Sequence, residues 1–308
     1  MKQLAFPLIL LLTATLCHSN TLELPRLELP RKGESAIAIE ITELAIAGQQ
    51  RVRILTDRYD IIAPCTCTGT LAAERLEHLF RVWQLLAAEH FGERPLAAPL
   101  AERTRHRVVI YRDRDEYIRN LLPIEPAIRR TNGYYSAPRR TVYFHLPLKE
   151  IVLFHEGTHQ ILSEHFFSEK MPMFRNNFWA VEGIALFMET LNIGEESYKV
   201  GDIMADRLFA ARIQHEQNFH MPIGRLTAMS AANIQASARI TEIYRKSATL
   251  THWLMFAEEG HHRKHLFELL RQTYANTASA ETLSELTGLS FEELDRKYAE
   301  FLSTIPLE

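Results

Sequence analysis

The stretch LKEIVLFHEGTHQIL, residues 148–162, sets the centre of the fold. Ile151 and Val152 begin an apolar stripe at helical spacing that His155 and His159 continue, which predicts an amphipathic helix. Side chains four residues apart lie on one helix face. The two imidazoles would therefore face inward side by side, either as core histidines bonded to carbonyl groups or as ligands of one metal ion. A metal ion would offset the cost of burying them.

Glu156 adds a chemical function to this pair of histidines. The segment HEGTH, residues 155–159, has the His-Glu-x-x-His (HExxH) spacing of zinc peptidases. Glu156 lies roughly 100° around the helix from His155, so it can stay outside the ligand set and take a proton from metal-bound water. Zinc lowers the pKa of such water from about 15.7 to roughly 7. The pattern therefore predicts one Zn²⁺ per chain that serves hydrolysis.

A third ligand must come from elsewhere, and the sequence offers two candidates. Glu182 lies in a segment of helical periodicity, far enough after His159 for a loop and a second helix to return alongside. His165 matches the third histidine of a longer zinc motif, which has a glycine where this chain has Leu162. A continuing helix would carry His165 about 9 Å beyond His159. We therefore predict Glu182 as the ligand.

These residues resemble those of the gluzincins, the zinc peptidases related to thermolysin and aminopeptidase N. More narrowly, two segments resemble the bacterial peptidase-MA-like domains: HEGTHQ, residues 155–160, and WAVEGIA, residues 179–185. The resemblance spans roughly residues 50 to 305. It implies that Glu156 is the general base and that the zinc ligands are His155, His159 and Glu182.

A further segment, YRKSA at residues 244–248, is similar to the Tyr-x-Lys-Gly-Ala segment of aminopeptidase N relatives. The resemblance implies that Tyr244 stabilises the oxyanion of the tetrahedral intermediate, and the alternative is an ordinary tyrosine on a helix face. Ser247 replaces the glycine of the family pattern.

Two departures from the family pattern limit what it implies. Thermolysin-like enzymes have an aspartate four residues beyond the third ligand that steadies a histidine, and this chain has Leu186 there. The partner of the histidine is then expected from another element. The chain also has no Gly-x-Met-Glu-Asn segment, whose glutamate holds the substrate amino terminus in aminopeptidases. Aminopeptidase activity is therefore not supported by the sequence.

The amino-terminal sequence predicts export. Residues 1–20 have a lysine near the start and then an apolar run too short to span a bilayer of about 30 Å, which is typical of a secretory signal peptide. We expect a secreted or periplasmic protein without a stable transmembrane span. Lipoprotein anchoring at Cys17 is the alternative, but Leu16 stands where lipoprotein processing sites have a small residue.

The pattern along the mature chain predicts an α+β fold. Residues 21–35 contain the repeat LELPR twice and are expected to form an extended linker. Residues 36–305 are expected to form one domain with a cleft between two lobes, which the resemblance implies is a peptidase-MA-like metallopeptidase domain. Residues 36–147 form a mixed-sheet lobe, with strands over 36–41, 52–62 and 106–111, a long helix over 71–91 and a hairpin at 133–144. Residues 148–305 form an all-helical lobe whose first helix floors the cleft.

The remaining candidate groups favour simpler explanations. Cys65 and Cys67 suit a redox pair or a soft-metal site, but two free thiols on one face of a strand or loop are expected. Three histidines, His261, His262 and His265, lie among basic residues between helical segments, which favours a solvated turn over a second metal site. The formal net charge is −3 without a basic stripe, which argues against nucleic-acid binding.

The sequence thus predicts an exported zinc peptidase acting on peptides or proteins, with Glu156 as general base. The alternative is a non-catalytic, zinc-stabilised peptide-binding or envelope accessory module. A third hypothesis is a peptidase that cleaves only its own chain or a specific substrate and does not cleave general substrates. A retained general base argues against a purely structural site, which tends to close its fourth coordination position with a protein ligand.

Overall fold

The structure is a computed structural model that describes residues 26–31, 34–46, 48–91, 105–166, 173–202, 205–217 and 221–305. The predicted signal peptide, with Cys17, lies outside the described residues. The fold is mixed α and β, as expected, with a sheet in the amino-terminal part and mostly helices after it. No helix of the described ranges is both long and apolar enough to cross a membrane.

The amino-terminal part contains seven strands and two α-helices in chain order, with one short 3₁₀ helix. The elements are β1 (Leu27–Pro30), β2 (Glu40–Ile46), β3 (Gln49–Leu55), β4 (Tyr59–Ala63), α1 (Thr66–His90), β5 (His106–Tyr111), α2 (Arg114–Leu121), the 3₁₀ helix (Pro126–Arg130), β6 (Gly133–Ser136) and β7 (Thr141–His145).

The carboxy-terminal part is helical apart from one small hairpin. The elements are α3 (Glu150–His165), α4 (Phe178–Met188), β8 (Asn192–Ile193), β9 (Ser197–Val200), α5 (Ala205–Glu216), α6 (Ile223–Thr227), α7 (Ala231–Gln235), α8 (Ile240–Gly260), α9 (Arg263–Tyr274), α10 (Thr282–Thr287) and α11 (Phe291–Ser303).

The main sheet has six strands in the order β2-β3-β4-β5-β7-β6. β5 runs parallel to β4 and β7, and the other neighbours are antiparallel, so the sheet is mixed as predicted. Alternate residues of a strand face opposite sides of the sheet. Val142 and Phe144 of β7 therefore join the main core with α1 and α3, whereas Tyr143 joins a small core with Tyr117 of α2 on the other side.

The structure corrects the predicted strands at the start of the sheet. Residues 52–62 do not form one strand: β3 ends at Leu55, and β4 begins at Tyr59. The Thr56 hydroxyl causes the break, because it accepts hydrogen bonds from the backbone N–H groups of Arg58 and Tyr59 at 3.3 and 2.9 Å. The first strand of this sheet also begins later than predicted, at Glu40.

The predicted linker over residues 21–35 is wrong for its second LELP segment. β1 pairs with β9 in a second sheet of order β1-β9-β8, and Leu27 and Leu29 are buried between exposed neighbours. The alternation of leucine with polar residues is the pattern of a half-buried strand. Pro30, one of the prolines that suggested a linker, is the last residue of this edge strand, a position at which a sheet tolerates proline. The same sheet contradicts an all-helical lobe, because β8 and β9 follow α4.

Glycines allow the helices that surround the candidate site to approach closely. A Cβ atom at Gly157 of α3 would lie 2.7 Å from a methyl group of Leu79 and 2.9 Å from one of Leu76, both on α1. A Cβ atom at Gly183 of α4 would lie 2.8 Å from the backbone oxygen of Ser247 on α8. Such distances are far below normal carbon contacts. These two glycines therefore determine how deeply α3 and α4 enter the core.

Candidate metal centre

His155 and His159 lie on one face of α3, where their imidazole rings meet. Nε2 of His159 is 3.1 Å from Nε2 of His155. Both side chains remain about 14 % exposed, so they line a surface rather than the sealed core. The helix explains this geometry, since side chains four residues apart overlie each other one turn apart.

Glu182 completes the group from the neighbouring helix. Its Oε2 lies 3.5 Å from Nε2 of His155, and its Oε1 lies 3.8 Å from Nε2 of His159. One donor atom from each of the three side chains lies within 4.8 Å of the others, so the group could hold a metal ion. Every residue of α4 is buried, which explains why a carboxylate on this helix is held in place.

His165 does not join this group. α3 continues without interruption to His165, whose ring packs at the helix end against Phe91 and Phe166 at centroid distances of 6.2 and 4.7 Å. Leu162 is completely buried within the helix and makes no turn. Of the two predicted third ligands, the structure brings Glu182 and not His165 to the two histidines.

The chemistry of these three side chains fits a metal ion. Oε2 of Glu182 is buried and makes no hydrogen bond of normal length in the described part of the chain, and its nearest cationic partner is His155 at 3.5 Å. A metal ion would satisfy this oxygen directly. Two imidazoles and one carboxylate are a ligand set of catalytic zinc sites, which use three protein ligands.

Glu189 orients His155 from behind. Its Oε1 lies 2.8 Å from Nδ1 of His155, and its Oε2 accepts a hydrogen bond from Arg207 at 2.9 Å. Because Glu189 holds Nδ1 of His155, the other ring nitrogen of His155, Nε2, faces Glu182. The sequence predicted that the residue orienting this histidine would come from an element other than the helix of Glu182. That prediction is wrong, because Glu189 is the carboxy-terminal cap of the same helix, α4. The seven-residue spacing, two helical turns on one face, is the signal that sequence reasoning missed.

The charges in this group determine where protons reside. Burial by itself would lower the pKa of His155, but Glu182 and Glu189 outweigh it and raise that pKa to about 10. Burial lowers the pKa of His159 to about 4, against the attraction of Glu182. The two carboxylates thus hold one positive charge on the imidazole pair. A metal cation would take the place of that proton.

Glu156 lies next to β6 and beside the candidate metal-binding group of His155, His159 and Glu182, hereafter the metal-binding group. Its Oε2 accepts a hydrogen bond from the backbone N–H of Tyr135 at 2.9 Å. Burial, reinforced by the charge of Glu182 and opposed by His155, raises the pKa of Glu156 to about 7. Gly133 permits this approach, since a Cβ atom there would lie 2.9 Å from Cγ of Glu156. A carboxylate with a pKa near neutrality suits a general base.

Tyr244 of α8 lies next to Glu182. Burial, followed by the charge of that carboxylate, raises the pKa of the phenol far above its usual range, so the hydroxyl keeps its proton. The side chain is half-buried and lines a cavity between the two lobes. The structure therefore brings Tyr244 into the neighbourhood of the metal-binding group.

The other candidate groups do not form metal sites. Cys65 precedes the first turn of α1 and Cys67 lies in that turn, and both are exposed free thiols at a helix start rather than on a strand. The solvated turn predicted around His262 is wrong for that residue, which is only 3 % exposed and packs against Trp253. Among the described residues, His155, His159 and Glu182 form the one group with metal-ligand geometry.

No protein-family model matches the chain, and no curated protein is significantly similar to it in sequence. The likeness to gluzincins therefore rests on the motif residues and their geometry alone.

Proposed function

We propose that this protein is an exported, secreted or periplasmic, zinc metallopeptidase of gluzincin type. The observation that supports this function best is the convergence of His155, His159 and Glu182 beside Glu156. A structural zinc site requires no carboxylate base. Here that carboxylate is half-buried, has a pKa raised to about 7 and lies on the same helix as two of the proposed ligands.

Zinc, when bound, would supply a Lewis acid that polarises the scissile carbonyl and acidifies water. Glu156 would take the proton from the attacking water and deliver it to the leaving amine. The Tyr135 N–H group holds one oxygen of Glu156, so the carboxylate keeps a defined orientation between these two proton transfers. The raised pKa of Glu156 means that both protonation states are accessible near neutral pH.

Tyr244 and β6 are suited to contact the substrate. Tyr244 keeps its proton, so its hydroxyl can donate a hydrogen bond to the developing oxyanion. β6 is the last strand of the sheet and pairs only with β7 within the described chain. An extended peptide can add to such an edge through main-chain hydrogen bonds. Because Glu156 touches Tyr135, a peptide on this edge would lie next to the general base.

The test combines zinc content with hydrolysis of unfolded casein for three proteins: wild type, Glu156→Gln and Glu182→Ala. We expect one zinc per wild-type chain with hydrolysis, zinc without hydrolysis in Glu156→Gln, and weakened zinc binding with no hydrolysis in Glu182→Ala. Full activity of purified Glu156→Gln would refute the mechanism. Wild type that binds zinc tightly and cleaves neither casein nor its own chain would favour a binding module.

A further inference from the structure

A cavity with a strongly basic lining opens beside the metal-binding group. Its volume is about 540 Å³, and its walls come from both lobes. The 3₁₀ helix contributes Arg130, α4 contributes Leu186, and α5 contributes Arg207. The amino-terminal turns of α8 provide Ile240, Thr241, Tyr244 and Arg245.

Residues that line the cavity contact or adjoin residues of the candidate active site. Leu186 lies one turn beyond Glu182 on α4. The Tyr244 hydroxyl interacts with the Glu182 carboxylate through a side-chain hydrogen bond and through the negative charge of that carboxylate. Arg207 binds Glu189, which in turn contacts His155. A substrate group in this cavity would therefore lie one side chain away from the metal ligands.

The charge of the lining is unbalanced. Three of its seven residues are arginines and none is acidic. Arg207 is neutralised by Glu189 at 2.9 Å. For Arg130 and Arg245, no carboxylate lies within ion-pair distance in the part of the chain that the structure describes. The chain as a whole carries a net charge of −3, so this concentration of positive charge is local.

We infer that this cavity is a substrate subsite that binds a carboxylate of the peptide, held by Arg245 with Arg130 beside it. The guanidinium group stays charged at every physiological pH and binds carboxylates through paired hydrogen bonds. Leu186 and Ile240 supply apolar contacts for the methylene groups that carry an acidic function. The inference rests on the proposed function, which makes the ligand a peptide.

Two sources supply the same chemical group. An aspartate or glutamate side chain near the scissile bond would make the enzyme selective for acidic sequences. The free carboxy terminus of a short peptide would make it selective for chain ends. Both place a carboxylate beside Arg245, and capped peptides distinguish them.

The test measures binding, so it does not depend on turnover. Zinc-loaded Glu156→Gln protein is equilibrated with libraries of octapeptides, acetylated and amidated at their ends, in which one position is fixed as either Glu or Gln. Bound peptides are quantified by mass spectrometry. We expect the Glu library to be enriched roughly tenfold over the Gln library at one position, the effect of one charged hydrogen-bonded contact. If the chain end is the source, Gln libraries with a free carboxy terminus will instead be enriched over their amidated forms.

Two substitutions in the same background locate the effect. Arg245→Gln should reduce the enrichment to less than threefold, whereas Arg225→Gln, which replaces an exposed arginine of α6 outside the cavity, should leave it unchanged. Zinc content and far-ultraviolet circular dichroism verify that Arg245→Gln is folded. Should that protein be unfolded, Arg130→Gln, at an exposed position, provides the same comparison.

The outcomes separate this inference from the proposed function. Equal binding of charged and uncharged peptides in both formats would overturn the subsite, even if the wild type hydrolyses casein. An enrichment that survives both Arg245→Gln and Arg130→Gln would overturn it as well. A carboxylate preference lost in Arg245→Gln, in a protein whose wild type cleaves nothing, would support the subsite and contradict the peptidase.

Discussion

Nδ1 of His155 lies 2.8 Å from Oε1 of Glu189, a carboxylate two turns along α4 from the predicted ligand Glu182. One helix and its cap thus supply both a candidate metal ligand, Glu182, and the carboxylate that orients a second candidate ligand, His155. Residues 182 and 189 of an α-helix project to nearly the same side. The buried position of α4 keeps both carboxylates in register with α3.

We expect Glu189→Gln to weaken zinc binding by about 10- to 100-fold, because the amide orients and polarises His155 less strongly than the carboxylate. Competitive titration with a chromogenic chelator measures this change. Glu195→Gln is the matched control, since Glu195 is exposed and remains outside the metal-binding group. Equal zinc affinity for Glu189→Gln and wild type would show that the contact has no role in metal binding.

Tyr244→Phe should lower kcat for peptide hydrolysis about a hundredfold, the usual cost of losing one oxyanion donor. KM and zinc content should change little, because the phenyl ring still fills the same half-buried position. Steady-state kinetics on a fluorogenic peptide together with metal analysis tests this. An unchanged kcat would assign Tyr244 the role of an ordinary helix-face tyrosine.

Gly183→Ala should destabilise the protein by about 1–3 kcal/mol, the typical cost of overpacking. The added methyl group would meet the hydroxyl of Thr251 and the backbone oxygen of Ser247, and α4 would have to move away from α8. The same displacement would shift Glu182, so zinc affinity should fall in parallel. Urea unfolding and chelator competition measure the two effects.

Combining Thr251→Ala with Gly183→Ala removes the clash of the new methyl group with the Thr251 hydroxyl but leaves its clash with the backbone oxygen of Ser247. The double variant should therefore recover part of the lost stability and not all of it. A Gly183→Ala protein as stable as wild type would mean that the close approach of α4 to α8 is not required.

His78 should make the fold sensitive to acid. Its Nδ1 is 2.8 Å from the Tyr198 hydroxyl, which donates to Glu34 at 2.5 Å and so ties β9 to α1. Burial, followed by the charge of Arg31, lowers the pKa of His78 from 6.5 to about 4. Between these values the unfolded chain binds more protons than the folded chain. The stabilising contribution is complete above pH 6.5 and is lost as the pH falls toward 4.

The comparison is between the free energies of unfolding at pH 7 and pH 5. We expect His78→Gln to be less stable than wild type at pH 7 and to lose less stability at pH 5. His261→Gln, at an exposed position, should keep the pH dependence of wild type. A His78→Gln protein with the wild-type difference between the two pH values would contradict this assignment.

The sequence by itself identified the elements whose signals are local. The apolar stripe and histidine spacing of residues 148–162 predicted α3, and the polar turn between two alternating runs predicted the β6–β7 hairpin. Two sequence features were enough to select Glu182 over His165. The chain between α3 and the second helical segment is long enough for that segment to return beside α3, and Leu162 in place of a glycine lets α3 continue and carry His165 past the site. Such patterns repeat within one element, so they need no partner to be recognised.

Only the tertiary structure decided contacts between segments far apart in the chain. Leu27 and Leu29 become buried because β9, more than a hundred residues later, provides the ladder for β1. Neither local composition nor turn chemistry encodes that pairing, and the prolines of the two LELPR repeats favoured an extended linker instead.

The arginine-lined cavity also depends on packing between segments that lie far apart in the chain. Arg130 from the sheet lobe and Arg207 and Arg245 from two helices converge only after the lobes pack together. In sequence these are three scattered cations, each compatible with a solvated surface. Periodicity therefore determines the helices, the strands and the candidate ligand residues they present, whereas packing between elements determines which charged side chains line the same cavity.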